Sequence, residues 1–418
     1  MDMIAGVSVK TLAETYGTPL FVYDEGKIRD IMRIYTEQFR SDSLKTGVLY
    51  ASKAFSCKAI LRLANEYGFC LDVVSGGELY TAIQAGFPAE KIYFHGNNKT
   101  MDELRQALDA KIGTIVVDNL YEAELLRRLC EETGQCVHTL LRVNPGIEAH
   151  THHYIVTAHV DSKFGISFVN EDELVETIRV LQGCEKIVFD GLHAHIGSQI
   201  FDRQAFAEEI RKLFAYADHL KQSYQIDVKV LNFGGGFGAR YTDQDVPIPT
   251  DEVCRMMVEI CEEENRRYGN RMEQILIEPG RSIVAEAGYT IYTIGAIKKT
   301  PNKLYAFVDG GMADNIRPAL YSAEYDAFIY GKETEAIYAE YTIAGKCCES
   351  GDILIQKIAL PKAEPGDLLV MKTTGAYGYS MASHYNKLLL PAVVFAENGN
   401  HRCVIRRETY EHMTALED

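Results

Sequence analysis

Four short stretches of this 418-residue chain carry residues able to do chemistry as well as to pack. Tyr50-Ala51-Ser52-Lys53-Ala54 offers a lysine amine, which becomes a nucleophile capable of forming a Schiff base when partial desolvation lowers its pKa. His193-Ala194-His195-Ile196-Gly197-Ser198 offers two imidazoles at period-two spacing, which puts both on one strand face, and a hydroxyl that can donate to an anion. Asn232-Phe233-Gly234-Gly235-Gly236-Phe237-Gly238 strips side chains away, so that successive N–H groups can approach an anion closely. Glu278-Pro279-Gly280-Arg281 sets a carboxylate beside a guanidinium. Each has an ordinary counterpart: a solvated surface lysine, a satisfied core histidine, a tight turn, a structural ion pair. The histidine pair also suits a metal, but a metal wants three or four ligands, and no further Asp or His set completes a site; no metal is expected.

The four stretches complement one another. A lysine amine to hold an aldehyde, a flat imidazole to stack, a glycine loop to cradle a phosphate and a carboxylate to keep a ring nitrogen protonated together meet the needs of pyridoxal 5'-phosphate.

The elements that must position these residues follow from the rhythm of the chain. Between residues 44 and 280, short β-branched runs alternate with segments of helical period, as in a parallel sheet with crossover helices. Strands are expected at 46–52, 69–74, 92–95, 114–118, 139–144, 188–196, 228–233 and 274–278, with outer helices such as 102–110 and 120–132. Eight such strands suggest a closed barrel, whose chemistry sits at the C-terminal strand ends and whose phosphate site follows strands seven and eight. All four stretches fall at such ends. After residue 281 the pattern becomes short alternating strands without strong helical period, an all-β domain that the 19–24 run is also expected to join. The fold class expected is therefore α/β, a (β/α)8 TIM barrel over 26–282 followed by an all-β domain over 283–418, joined by a strand from 1–25.

Composition narrows the classes further. With 47% hydrophobic and 24% charged residues the chain can bury a large core, which excludes a disordered or fibrous protein. A net charge of -16 argues against nucleic-acid or anionic-membrane partners. No apolar run approaches a membrane span and residues 1–10 do not resemble a signal peptide, so a cytoplasmic location is expected. Ten scattered cysteines without a CxxC pair read as reduced thiols.

From about Gly17 to Asn386 the chain resembles the bacterial diaminopimelate decarboxylases, in the alanine-racemase-like, fold-type III group of pyridoxal-phosphate enzymes. The resemblance implies that Lys53 carries the cofactor, that His195 stacks on it, and that Ser198, Gly235, Gly236 and Phe237 bind its phosphate. It implies Glu278 at the pyridine nitrogen, Arg281 at substrate or phosphate, and Asp72, in LDVVSGGEL, near the cofactor. DGGM at Asp309–Met312 leads to Ile316-Arg317-Pro318-Ala319-Leu320-Tyr321, which resembles the family's substrate clamp; Arg317, Tyr321 and Arg281 would hold a distal carboxylate, for which a guanidinium fork is suited. Cys348-Glu349-Ser350-Gly351-Asp352 resembles the motif that completes the site from the opposite subunit, with Cys348 the proton donor and Glu349 the reader of a distal ammonium. Tyr377, in Gly375-Ala376-Tyr377-Gly378, would lie near cofactor and substrate. The implied activity is decarboxylation of meso-2,6-diaminopimelate to L-lysine in a homodimer with shared active sites. Two departures stand out: Ser383-His384-Tyr385-Asn386 where the family commonly reads SNYN, and Lys387 to Leu390 where an arginine-proline pair often follows. The rival readings are a decarboxylase of the same fold acting on ornithine, arginine or carboxynorspermidine, a metal-dependent barrel hydrolase using His193 and His195, and a non-catalytic carrier of the cofactor.

Overall fold

The computed structural model describes residues 3–147 and 162–418; residues 154–161, for which the sequence suggests a loop, lie outside them. The chain divides into two compact units, one of Ile31–Gly238 and Pro247–Gly280, the other of Met1–Asp30, Ala239–Val246 and Arg281–Asp418.

Among the described residues, the barrel of the first unit is made of eight parallel strands, Lys45–Ala51, Cys70–Val73, Ile92–Phe94, Thr114–Val117, Val137–Asn144, Ile187–His193, Val230–Asn232 and Gln274–Ile277, and a two-residue strand, Ile166–Ser167, adds to the end of the fifth. Each of the eight pairs with the next, and the eighth pairs with the first from Gln274↔Lys45 to Ile277↔Val48, so the sheet closes on itself. Closure leaves no open edge. Leu49, Val116, Leu140 and Leu276 come from four different strands and form one buried cluster, which packs the barrel interior solid. Chain entry into the outer helices is set by side chains at the strand ends. Ser75, Thr100 and Asn119 accept from the amides of Glu78, Glu103 and Glu122, and Thr100 with Glu103 forms a reciprocal capping box. The N-caps therefore fall just past the C-terminal strand ends, where the chemistry is expected.

In the second unit the seven strands Ile353–Leu360, Ala339–Ala344, Leu304–Val308, Gly288–Lys299, Leu20–Asp24, Ala392–Glu397 and Asn400–Ile405 lie side by side in that order. Leu368–Met371 pairs with both Gly288–Lys299 and Ala327–Ile329. The sheet is mixed, since Leu20–Asp24 runs antiparallel to Gly288–Lys299 but parallel to Ala392–Glu397. Leu12, Leu20, Val22, Ile291, Val370 and Val394 form part of its core.

Three local expectations are corrected. The sixth strand ends at His193 and not at residue 196, because the Ala194 amide makes its last ladder contact, to the Asn232 carbonyl at 2.8 Å. Strands such as Ala327–Ile329 and Ala392–Glu397 were not read from the sequence; the second is buried on both faces and so shows no polar alternation. Short helices, Arg317–Tyr321 and Tyr410–Thr414 among them, interrupt the stretch read as all-β. No described helix is long and apolar enough to cross a membrane.

Candidate active site

Lys53 sits in a turn, Ser52–Ala54, directly after the first barrel strand, and its own side chain is exposed. The turn is held by its neighbours. Ser52 Oγ donates to Glu78 Oε2 at 2.7 Å, the same oxygen accepts the Val74 amide at 2.8 Å, and Tyr50 donates its hydroxyl to the Phe55 carbonyl at 2.7 Å. The Ala51 amide reaches the Pro279 carbonyl at 3.1 Å, which ties the first strand end to the eighth.

Glu278, just past the eighth strand, is approached by three side chains. Its Oε1 accepts from Asn232 Nδ2 at 2.7 Å, and its Oε2 lies 3.2 Å from His193 Nε2. His95 Nε2 is 2.9 Å from Oε1, a close electrostatic contact that lacks the alignment of a hydrogen bond. Burial alone would raise its pKa, but His95 and then His193 outweigh that and hold the carboxyl well below the usual range. Burial pushes the His193 pKa down to about 4, so at neutral pH it faces Glu278 as a neutral imidazole whose Nε2–H donates. A carboxylate oxygen has two lone pairs. Oε1 has two close neighbours and Oε2 one, so Oε2 retains capacity for one more donor.

His195 is placed differently from His193. Its Nδ1 accepts the Gly235 amide at 3.2 Å, which puts its proton on Nε2, and burial followed by the Lys53 charge lowers its pKa well below 6.5. The strand ends at His193, so His195 lies just past it and takes a different partner. The expectation that no further group completes a metal set is corrected. His95, His193 and Glu278 bring ligand atoms within 4.8 Å of one another. His195 is not in that set.

Asp72, in the second strand, is buried with Oδ1 3.8 Å from His95 Nε2, and burial raises its pKa against the pull of His95. The glycine loop after the seventh strand is held by its carbonyls and by Phe237. Gly234 O accepts the Glu278 amide at 2.6 Å, Gly236 O accepts the Ile200 amide at 2.9 Å, and the Phe237 ring stacks on Phe206 at 5.2 Å. A Cβ on Gly235 would stand 2.3 Å from the Glu278 carbonyl, and one on Gly236, whose φ is +102°, would stand 2.7 Å from the Gly197 carbonyl. The Gly235 N–H is taken by His195, so the amides of Gly236 and Phe237 are the loop donors best placed for an anion. Ser198 is half-buried two residues before Ile200, whose bridge to Phe237 brings the two loops together.

The second unit gathers the other motifs. Asp352 accepts from the amides of Met312 at 2.7 Å and Cys347 at 2.8 Å, the Cys348 amide donates to Asn386 Oδ1 at 2.6 Å, and the Ser383 amide donates to the Ala313 carbonyl at 2.7 Å. Arg281 and Arg317 are both buried. Arg281 lies 4.8 Å from the centre of the ring of Tyr377, a half-buried residue at φ +60°. Cys348 and Glu349 are exposed, and among the described residues the Glu349 carboxylate accepts from its own loop, from the Gly351 amide at 3.2 Å. Tyr321 is 37% exposed, one turn from Arg317, and bonds to neither arginine.

His95, Asn232 and Glu78 were not singled out as site residues, and neither were Tyr241 and Tyr325 of the second unit. His95 and Asn232 each stand at a strand end, a place where a polar residue in an apolar run signals function.

A closed barrel with a strand-end lysine, a clamped carboxylate and a glycine cradle defines a class of pyridoxal-dependent enzyme. The family model described as pyridoxal-dependent decarboxylase, pyridoxal binding domain, matches residues 25–285. The chain is 53% identical to the diaminopimelate decarboxylase of Bacillus subtilis (strain 168), over 99% of this chain and 94% of that protein. It is 48% identical to that of Bacillus methanolicus, over 99% and 96%. The solved diaminopimelate decarboxylase of M. jannaschii in complex with L-lysine superposes with a TM-score of 0.91 at 33% identity, covering 100% of this chain and 95% of the other. The chain belongs to the diaminopimelate decarboxylase family. The residues present fit its cofactor: a cradle that any Cβ would fill, an amine at the barrel mouth, and an ionised buried carboxylate with room for one more donor.

Proposed function

We propose that this chain decarboxylates meso-2,6-diaminopimelate to L-lysine and carbon dioxide with pyridoxal 5'-phosphate, the last step of lysine biosynthesis. The observation that carries the reading is Glu278, a buried carboxylate held ionised by His95 and His193, with Asn232 donating to it. Bound there, the cofactor supplies an electron sink for the pair left when the carboxylate departs.

Lys53 holds the cofactor through its amine, and Glu278 keeps a proton on the pyridine nitrogen through the open side of Oε2. His195 offers a neutral ring to stack, and Ser198, Gly235, Gly236 and Phe237 form the phosphate cradle, with Gly235 also orienting His195. Asp72 lies beside His95, near the cofactor. Arg281, Arg317 and Tyr321 orient the carboxylate that does not react, Tyr377 borders cofactor and substrate, and Glu349 reads the distal ammonium. Cys348 of the partner subunit delivers a proton to the carbon that has lost its carboxylate. Its exposure supports a working homodimer with shared sites. The net charge of -16 argues against nucleic-acid and anionic-membrane partners, and the location is read as cytoplasmic. In this reading residues 26–282 are the cofactor domain and 283–418, with 1–25, the substrate-completing domain.

The test is carbon dioxide release from meso-diaminopimelate compared with ornithine, arginine and carboxynorspermidine. Release from meso-diaminopimelate alone is expected, with none from Lys53→Ala; preference for an amino acid lacking a second carboxylate overturns the substrate.

A further inference from the structure

Arg317 is a guanidinium only 5% exposed, and among the described residues no carboxylate lies within ion-pair distance of it. A buried cation is costly unless an anion neutralises it, so the anion this one awaits comes from a ligand. Its walls are phenols. Nη1 donates to the Tyr325 hydroxyl at 2.5 Å, and the guanidinium carbon lies 4.8 Å from the centre of the Tyr241 ring and 5.6 Å from that of Tyr325. Arg281, 8% exposed, shares the same tyrosine: its Nη1 donates to the Tyr241 hydroxyl at 2.6 Å. Tyr241 and Tyr325 meet edge to face, with centroids 5.5 Å apart, which fixes the ring between the two cations.

One phenol thus grips two like charges by different means. The hydroxyl oxygen accepts from one guanidinium and the negative ring face attracts the other. Without that ring, two cations in a poorly solvated site would repel and lose their relative orientation.

We infer that Tyr241 is a positioning residue that spaces Arg281 and Arg317 to take one carboxylate, and so selects amino acids bearing a carboxylate on the end that does not react. The inference rests on the substrate reading above and extends it to a residue that touches neither reacting atom. A merely structural tyrosine would affect every ligand alike; a positioning one weakens only ligands that carry the remote carboxylate.

The experiment uses holoenzyme of wild type, Tyr241→Phe and Tyr241→Leu. It measures kcat and KM for meso-diaminopimelate and the Kd of L-lysine, 1,5-diaminopentane and pyridoxal 5'-phosphate. Lysine keeps the remote carboxylate and 1,5-diaminopentane lacks it. Tyr241→Phe loses only the hydroxyl, so KM and the lysine Kd rise about tenfold while kcat stays within about threefold. Tyr241→Leu loses the ring face as well and reaches about a hundredfold. The Kd values of 1,5-diaminopentane and cofactor stay unchanged. Wild-type lysine affinity in Tyr241→Phe, equal weakening of 1,5-diaminopentane, or weakened cofactor binding each overturns the inference, the last by assigning the arginines to the phosphate. If wild type itself releases no carbon dioxide from meso-diaminopimelate, or binds lysine no better than 1,5-diaminopentane, the substrate reading falls and the inference with it.

Discussion

Replacing Gly235 with alanine tests the cradle most directly, because the added carbon meets backbone and not a side chain that can rotate away. The new Cβ would stand 2.3 Å from the carbonyl oxygen of Glu278. Ordinary carbon–oxygen approaches are about 3.3 Å, so the loop and the eighth strand end must part by about 1 Å. They are not free to do so without loss: the Glu278 amide is bonded to Gly234 O at 2.6 Å, and the Gly235 amide orients His195 at 3.2 Å. Overpacking of this kind costs about 1–3 kcal/mol, and if the bound geometry bears the strain, cofactor affinity falls by about ten- to a hundredfold. The assay is titration of cofactor-stripped protein with pyridoxal 5'-phosphate, followed by the visible absorbance of the Lys53-linked cofactor. Gly77→Ala is the control, since its Cβ would find nothing nearer than Ser75 Oγ at 3.8 Å. If Gly235→Ala binds cofactor within about twofold of wild type, the loop is not a close-fitting phosphate cradle.

Two further outcomes are expected. Equal mixing of Lys53→Ala and Cys348→Ala chains, each inactive alone, should restore about a quarter of wild-type turnover, because half the dimers are mixed and each mixed dimer holds one intact site of two; no recovery after subunit exchange refutes a shared site. Glu209 is fully buried with neither carboxyl oxygen bonded among the described residues, and burial, then repulsion from Glu278, raises its pKa well above the usual value. The folded chain therefore holds a proton that the unfolded chain loses above about pH 4.3, so this group's contribution is fully present below that pH and is lost as pH rises towards the folded pKa. Relative to wild type, Glu209→Gln should gain stability between pH 5 and 8, at up to about 1.4 kcal/mol per pH unit, measured by urea unfolding; a difference independent of pH contradicts the buried-proton account.

Much of the site was legible because its chemistry is written in short local strings at strand ends. YASKA, HIGS, GGGFG and EPGR each pair a functional group with the backbone freedom it needs, and barrel topology puts all four at one end. What could not be read is which side chains meet across strands. His193 and His195 look equivalent in sequence, yet one clamps Glu278 and the other turns to Gly235 because the ladder stops between them. His95, 183 positions before Glu278, reaches it only because ring closure places the third and eighth strands around one interior.

By itself, the order of residues determined the alternation of strands and helices, the caps that start the helices and the residue types gathered at strand ends, since each depends on neighbours within a few positions. Tertiary structure alone decided the proton states and the pairings: Glu278 is ionised and His193 neutral because closure buries them together, and Arg317 is enclosed by phenols because distant turns converge on it. Charge in a buried site depends on everything packed around it, and that list is fixed only when the chain has folded.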